Sequence, residues 1–294
     1  MLAFRAPYPI GKGSLVAVVA PASGFDRDEL FRGLAWLSTR YRLRVDQRIL
    51  HRTGFLAGPD ESRADVLARA MLDPEVEAIV CARGGYGAMR ILDALPWDRF
   101  AERPKPIVGF SDVTALHLAA NARRIATIHG PNVTGLGRSI TAAERASLIG
   151  ALEGGALTPW TGLDVLVPGD ARGVAVGGNL ALVQAMAAAG RLDVPSGAIV
   201  FLEDVTERPY RIDRMLTSLL LGGHFGRASA IVFGGFTQCD PGPDGVNVEE
   251  VLRERTSTLG IPVVAGAPFG HGSPNHSFGL GREVVLRGRT IAWM

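Results

Sequence analysis

Short apolar runs alternate with helical stretches along this chain, and that alternation constrains the fold more than any other feature. Candidate strands lie at residues 15–20, 43–47, 78–82, 106–110 and 126–129. Between them, residues 28–38, 62–71, 88–95 and 113–122 read as helices. In the second of these, Ala64, Leu67, Ala68 and Met71 share one helical face. A strand that is apolar at every position is buried on both faces. The pattern therefore predicts an α/β fold, a parallel sheet covered by helices on both sides. Ligands of such sheets bind beyond the carboxyl ends of the strands.

The alternation lapses between about residues 135 and 169, where Gly, Thr, Ser and Pro surround one helical stretch at 142–151. It resumes with a strand at 173–176, a helix at 179–189, a strand at 198–202, a helix at 212–221 and a strand at 230–233. A helix at 248–256 and strands at 262–265 and 283–286 complete the series. Two α/β domains are expected, at 1–150 and 172–294, with a linker at 151–171 and a cleft between them. A length of 294 residues agrees with about two domains. With 47% hydrophobic and 20% charged residues the chain can close full cores, which excludes disorder.

Basic residues number 31 and acidic residues 29, with no basic block, so no nucleic-acid partner is expected. Cys81 and Cys239 fit neither a disulfide framework nor a zinc-ligand spacing, which favours a reducing, cytoplasmic setting. Residues 14–23 resemble a signal-peptide core superficially, but the apolar run is about six residues long and bounded by Gly13 and Pro21. A buried first strand explains it equally well. No stretch reaches the roughly 18 apolar residues of a membrane helix, so no membrane association is expected.

Glycine is over-represented, at 37 residues. The surplus gathers at Arg83-Gly84-Gly85-Tyr86-Gly87, Gly177-Gly178 and Gly234-Gly235, close to expected strand ends. Such clusters let backbone approach a ligand or another strand.

Three strand-end segments carry candidate chemistry. In Gly109-Phe110-Ser111-Asp112-Val113, Ser111 falls on a strand-to-helix turn, where its hydroxyl is exposed beside the positive end of a helix dipole. The same position suits a helix-capping serine. In the second segment Glu203 is the first polar residue after a buried-strand run, with Asp204 and Glu207 as rivals and Arg208 and Arg211 as possible ion-pair partners. In the third, His271 lies between Gly270 and Gly272 after the strand at 262–265, and His276 is a second candidate of the same kind. His117 falls inside an expected helix and is read as packing.

A serine, a carboxylate and an imidazole together supply a nucleophile, an orienting acid and a general base. Backbone N–H groups of the loop at 83–87 and of Asp112 are candidates for stabilising an oxyanion. The same glycine loop lacks the Lys and the spacing of a phosphate-binding loop.

Read together, several segments resemble the LD-carboxypeptidases, the muramoyltetrapeptide carboxypeptidase family of serine peptidases. They are Val19-Ala-Pro-Ala-Ser23, Cys81-Ala-Arg-Gly-Gly-Tyr-Gly87, Gly109–His117, His129-Gly-Pro131, Leu202-Glu-Asp204 with the run from Arg208 to Leu216, and Gly270-His271. These matches run in order across nearly the whole chain.

The resemblance implies a flavodoxin-like N-terminal domain carrying the nucleophile and a smaller α/β C-terminal domain carrying acid and base. It implies the triad Ser111, Glu203 and His271, with an oxyanion hole from the backbone of Gly84, Gly85 and Asp112. It further implies release of D-alanine from murein tetrapeptide in cytoplasmic wall recycling, by a homodimer that needs no metal or other cofactor. A branch of the family hydrolyses a peptide-nucleotide antibiotic with the same triad. A non-catalytic binding protein for wall fragments is the alternative from another class. Asn132 departs from the apolar residue expected after Pro131. Arg83 is the candidate anchor for the substrate's terminal carboxylate.

Overall fold

The computed structural model describes residues 3–138 and 140–294. Contacts divide the chain into two compact units, Met1–Ala156 with His276–Gly279, and Leu157–Asn275 with Leu280–Met294.

The first unit alternates strand and helix: β1 (Leu15–Val19), α1 (Arg27–Ser38), β2 (Arg42–Val45), α2 (Asp60–Leu72), β3 (Ala78–Cys81), α3 (Trp97–Glu102), β4 (Ile107–Gly109), α4 (Thr114–Ala122) and β5 (Thr127–His129). A short α5 (Val133–Leu136) and α6 (Ala142–Glu153) follow. The first five strands are parallel in the order β2-β1-β3-β4-β5, which is the flavodoxin-like arrangement. Every residue of β1, β3, β4 and β5 is buried, as a sheet with two covered faces requires. At the edge, β2 alternates Arg42 and Arg44 with Leu43 and is largely exposed, which discourages edge-to-edge pairing.

Helix ends carry the expected signals. The Asp26 side chain accepts from Glu29 N to start α1, and Thr141 and Glu144 form a reciprocal capping box on α6. Residues 88–95, expected to be helical, form instead a 3₁₀ helix over Ala88–Ala94. Gly87 precedes it at φ 125° and Pro96 follows Leu95, leaving little room for a regular α-helix.

The second unit contains β6 (Asp164–Val167), β7 (Asp170–Asn179), α7 (Leu180–Ala188), β8 (Ile199–Val205), α8 (Pro209–Leu221), β9 (Ala230–Thr237), α9 (Val248–Thr256) and β10 (Val263–Ala265). After β11 (Phe278–Leu280) come β12 (Glu283–Arg287) and β13 (Thr290–Trp293). Its sheet runs β13-β12-β7-β8-β9-β10-β6, parallel from β7 to β10 and antiparallel at both edges. An aromatic cluster fills its core: Trp160 stacks on Phe269 at 5.9 Å, and Phe201 meets Phe269 edge-on at 5.7 Å. Strand β11 joins the first sheet beside β5.

Three strands, β6, β11 and β13, occupy stretches without a strand expectation. They are three or four residues long, too short for a period-two pattern to register. The glycine pair 177–178 falls in the last three residues of β7, near its end as expected, whereas 234–235 lies inside β9.

Candidate active site

Ser111 follows β4 at the head of a 3₁₀ turn, Ser111–Val113, that leads into α4. Its φ of 66° is left-handed, a conformation that costs a non-glycine residue about 1–3 kcal/mol and persists only where surroundings impose it. Two contacts impose it here. The Asp112 carboxylate, 1% exposed, accepts from Ala88 N at 2.7 Å and ties the turn to the segment after β3. Burial raises the Asp112 pKa, against the opposing effects of that hydrogen bond and of Arg63. Asn132, also buried, accepts from Phe110 N at 3.4 Å, so the residue found in place of an apolar one reaches the backbone just before Ser111.

The glycine loop after β3 closes over this turn. A Cβ on Gly84 would stand 2.7 Å from Ser111 Cβ and 2.9 Å from Ser111 Oγ, so only glycine fits there without displacement. The loop is tied to the one after β1: Ser23 N donates to Gly84 O at 3.2 Å, and Tyr86 N donates to Ser23 Oγ at 3.0 Å. Arg63, 3% exposed, binds both loops from beneath, donating to Pro21 O, to Gly87 O at 3.0 Å and to Gly58 O at 3.3 Å while pairing with Asp60. Arg83 donates to Gly24 O at 2.6 Å.

In the second unit, His271 Nδ1 lies 2.7 Å from Glu203 Oε2, and Glu203 has no solvent exposure. A carboxylate only accepts, so Nδ1 carries a proton and Nε2 is the basic nitrogen of the neutral ring. Burial opposes the imidazolium, but the hydrogen bond and charge of Glu203, with the charge of Asp204, outweigh it and hold His271 above its ordinary pKa of 6.5.

Glu203 lies inside β8 rather than after it, at an irregularity in the β8–β9 ladder: Leu202 pairs with Phe233 and Asp204 with Phe236. Gly234 and Gly235 therefore oppose Glu203 as a bulge, a device that re-aims side chains beside functional sites. Gly235 N donates to Phe269 O at 2.9 Å, which seats the loop bearing His271. A Cβ on Gly270 would come within 3.0 Å of Glu203 Oε2.

The rivals are engaged elsewhere. Asp204 accepts from Ala181 N at 2.9 Å, Val205 N at 2.8 Å and Asn179 Nδ2 at 3.0 Å, and burial lifts its pKa to about 6. Glu207 pairs with Arg211 at 3.5 Å, and Arg208 donates to the carbonyls of Asp240 and Pro241. His276 belongs to the first unit, and burial lowers its pKa. His117 is buried in α4, donates from Nε2 to Gly109 O at 2.9 Å, and has its pKa lowered by burial to about 4. That is packing behaviour.

Sequence reasoning missed Asn179 and Arg63. Asn179 starts α7 as its N-cap while its amide reaches Asp204 and, at 3.4 Å, Glu203 Oε1. Its place one strand over from Glu203, after two glycines, was the available signal. Arg63 had none, because a charged residue within an amphipathic helix reads as surface.

Residues 16–130 match the LD-carboxypeptidase N-terminal domain, and residues 172–286 match the LD-carboxypeptidase C-terminal domain. The chain belongs to the LD-carboxypeptidase family. It is 33% identical to the murein tetrapeptide carboxypeptidase of Pseudomonas aeruginosa over 95% of this chain and 94% of that one. The crystal structure of muramoyltetrapeptide carboxypeptidase from Oxalobacter formigenes superposes with a TM-score of 0.85 at 28% identity, covering 95% of this chain and 97% of that chain. The microcin C7 self-immunity protein MccF of Escherichia coli is 25% identical over 91% of this chain and 88% of that protein. As an LD-carboxypeptidase the chain is a serine-type carboxypeptidase, a hydrolase. Among the described residues, no helix is long and apolar enough to cross a membrane.

Proposed function

We propose that this LD-carboxypeptidase removes the terminal D-alanine of murein tetrapeptide through an acyl-enzyme, with Ser111 as nucleophile, His271 as general base and Glu203 as the orienting acid. The observation that carries the reading is the 2.7 Å bond between His271 and the wholly buried Glu203. A fixed Nδ1–H leaves Nε2 as the proton acceptor for a serine hydroxyl. Ser111 Oγ attacks the scissile carbonyl as its proton passes to His271. The tetrahedral oxyanion is met by backbone N–H groups of Gly84, Gly85 and Asp112. On collapse the C–N bond breaks, His271 returns the proton to the leaving amine, and D-alanine departs. Water, deprotonated by the same imidazole, then hydrolyses the Ser111 ester. Arg83 is the proposed anchor for the substrate's terminal carboxylate.

The proposed functional division is residues 1–150 for the nucleophile, 151–171 as linker and 172–294 for acid and base. The two cysteines are free and buried, which suits the cytoplasmic setting proposed. A homodimer is part of the same reading, and sedimentation measures it directly.

The deciding experiment incubates the purified protein with murein tetrapeptide and measures D-alanine. Release by wild type and its loss in Ser111→Ala are expected. Turnover of an acyl-nucleotide analogue but not of tetrapeptide would move the assignment to the activity suggested by the MccF likeness. Binding of tetrapeptide without release would make the protein a binding module.

A further inference from the structure

Three guanidinium groups line one cavity of the first unit, and none has a carboxylate partner within 4 Å among the described residues. The cavity, about 550 Å³, is bounded by Gly24, Arg27, His51, Arg52 and Arg83 together with Asp26. These residues follow the carboxyl ends of β1, β2 and β3, and the strand order reverses at β1. That is the switch point where open parallel sheets bind ligands.

The arginines are held without being neutralised. Arg27 Nη2 donates to Leu50 O at 3.3 Å, Arg52 Nε to Gly54 O at 3.2 Å, and Arg83 Nη1 to Gly24 O at 2.6 Å. A guanidinium carries five N–H donors, so each retains others for a ligand. Elsewhere in the same unit Arg40, Arg44, Arg48, Arg63 and Arg90 each sit on a carboxylate. The single acidic side chain described in the lining, Asp26, is committed to Glu29 N at the start of α1. A pocket with three such cations and one engaged carboxylate selects an anion. Planar carboxylates match the guanidinium fork in a bidentate way.

Arg83 also connects this cavity to the chemistry. It is the residue before Gly84, whose backbone packs on Ser111, and it donates to Gly24 in the loop beyond β1. We propose that the cavity is an anion subsite for the free carboxylate terminus of the peptide substrate, in which Arg27 and Arg52 act with Arg83 to set specificity. This rests on the peptidase reading above.

The test measures binding by isothermal titration in a Ser111→Ala background, so that no turnover intervenes. The probes are the tetrapeptide and its C-terminal carboxamide. The free acid should bind at least about tenfold more tightly than the amide. Arg52→Ala and Arg27→Ala should each remove most of that preference with melting temperature unchanged, and Arg52→Lys should restore part of it. With Ser111 present, the alanine variants should raise KM for the free acid and leave kcat nearly unchanged. A preference that survives both alanine substitutions would overturn the subsite, as would equal or absent binding of the two probes. D-alanine release is scored separately. Release without an arginine-dependent preference retires the subsite alone, whereas a preference without release keeps the subsite and retires the peptidase reading.

Discussion

Ser111 is held at φ 66° against the backbone of Gly84, whereas His271 is fixed through its ring to a carboxylate that no solvent reaches. In the first region main-chain geometry positions the group. The turn is strained, a neighbouring loop fills the space a side chain would need, and Arg63 and Asp112 tie the loops together through carbonyls and N–H groups. In the second region charge positions the group: a bulge presents Glu203, Asn179 reaches its other oxygen, and the imidazole is drawn to it. Steric placement answers first to volume, and the titrating group within it, Asp112, acts through the hydrogen bond it accepts from Ala88 N. Electrostatic placement answers to protonation as well as to volume. Substitutions in the two regions should therefore fail in different ways.

The largest effect is expected at Ser111. Ser111→Ala should lower kcat by roughly 10⁴–10⁶-fold while the melting temperature holds, because in the proposed triad the serine nucleophile and its base act as one unit. Full activity in that variant would remove the nucleophile assignment. Glu203→Gln comes next, at about 10³–10⁴-fold in kcat, since an amide no longer holds the ring in the required tautomer. Glu207→Gln, which only loosens an exposed pair with Arg211, should cost no more than about twofold.

The pH dependence separates the regions further. His271 must be neutral to accept a proton, so kcat/KM should fall as pH drops through its raised pKa, above 6.5. Glu203→Gln should move that acid limb to lower pH. The same linkage stabilises the fold in full below pH 6.5 and is lost as pH rises through the raised value. An acid limb unchanged by Glu203→Gln would show that Glu203 does not govern His271. For the steric region the matching stability test is Arg63→Met. It removes the guanidinium donor from the Pro21 and Gly58 carbonyls, while Gly87 O keeps Arg90 N and Asp60 keeps the Arg90 guanidinium, and should cost about 1–3 kcal/mol in guanidinium unfolding.

The sequence showed these regions unequally. The parallel sheet was legible because its central strands β1, β3 and β4, buried on both faces, are apolar at every position. Ser111, Glu203 and His271 stood out as candidates because each is a polar residue near an apolar run, and the ordered resemblance narrowed the choice among the carboxylates. What stayed hidden depends on contacts between distant segments. The bulge opposite Glu203 is a register shift between two strands, and neither strand encodes it alone. That Arg27, Arg52 and Arg83 lack a carboxylate partner among the described residues depends on where distant carboxylates fall in the fold. Strands of three or four residues, such as β11, become strands only because a neighbour pairs with them.

Two single-methyl additions give the sharpest comparison, because they probe the two regions directly. In Gly84→Ala the new methyl meets Ser111 Cβ and Oγ at 2.7 and 2.9 Å, so Ser111 or the loop must shift. A displacement of that kind costs about 10–100-fold in kcat, with KM little changed. Since no titrating group is touched, the acid limb of kcat/KM should stay where wild type has it. In Gly270→Ala the methyl comes within 3.0 Å of Glu203 Oε2, at a φ of 122° that an alanine adopts only with strain. Loosening the Glu203–His271 bond should lower the His271 pKa, so the acid limb should move down as kcat falls. Profiles from pH 5 to 9 on both variants decide the matter. If Gly84→Ala shifts the limb as far as Gly270→Ala does, the nucleophile turn is not held by steric contacts alone.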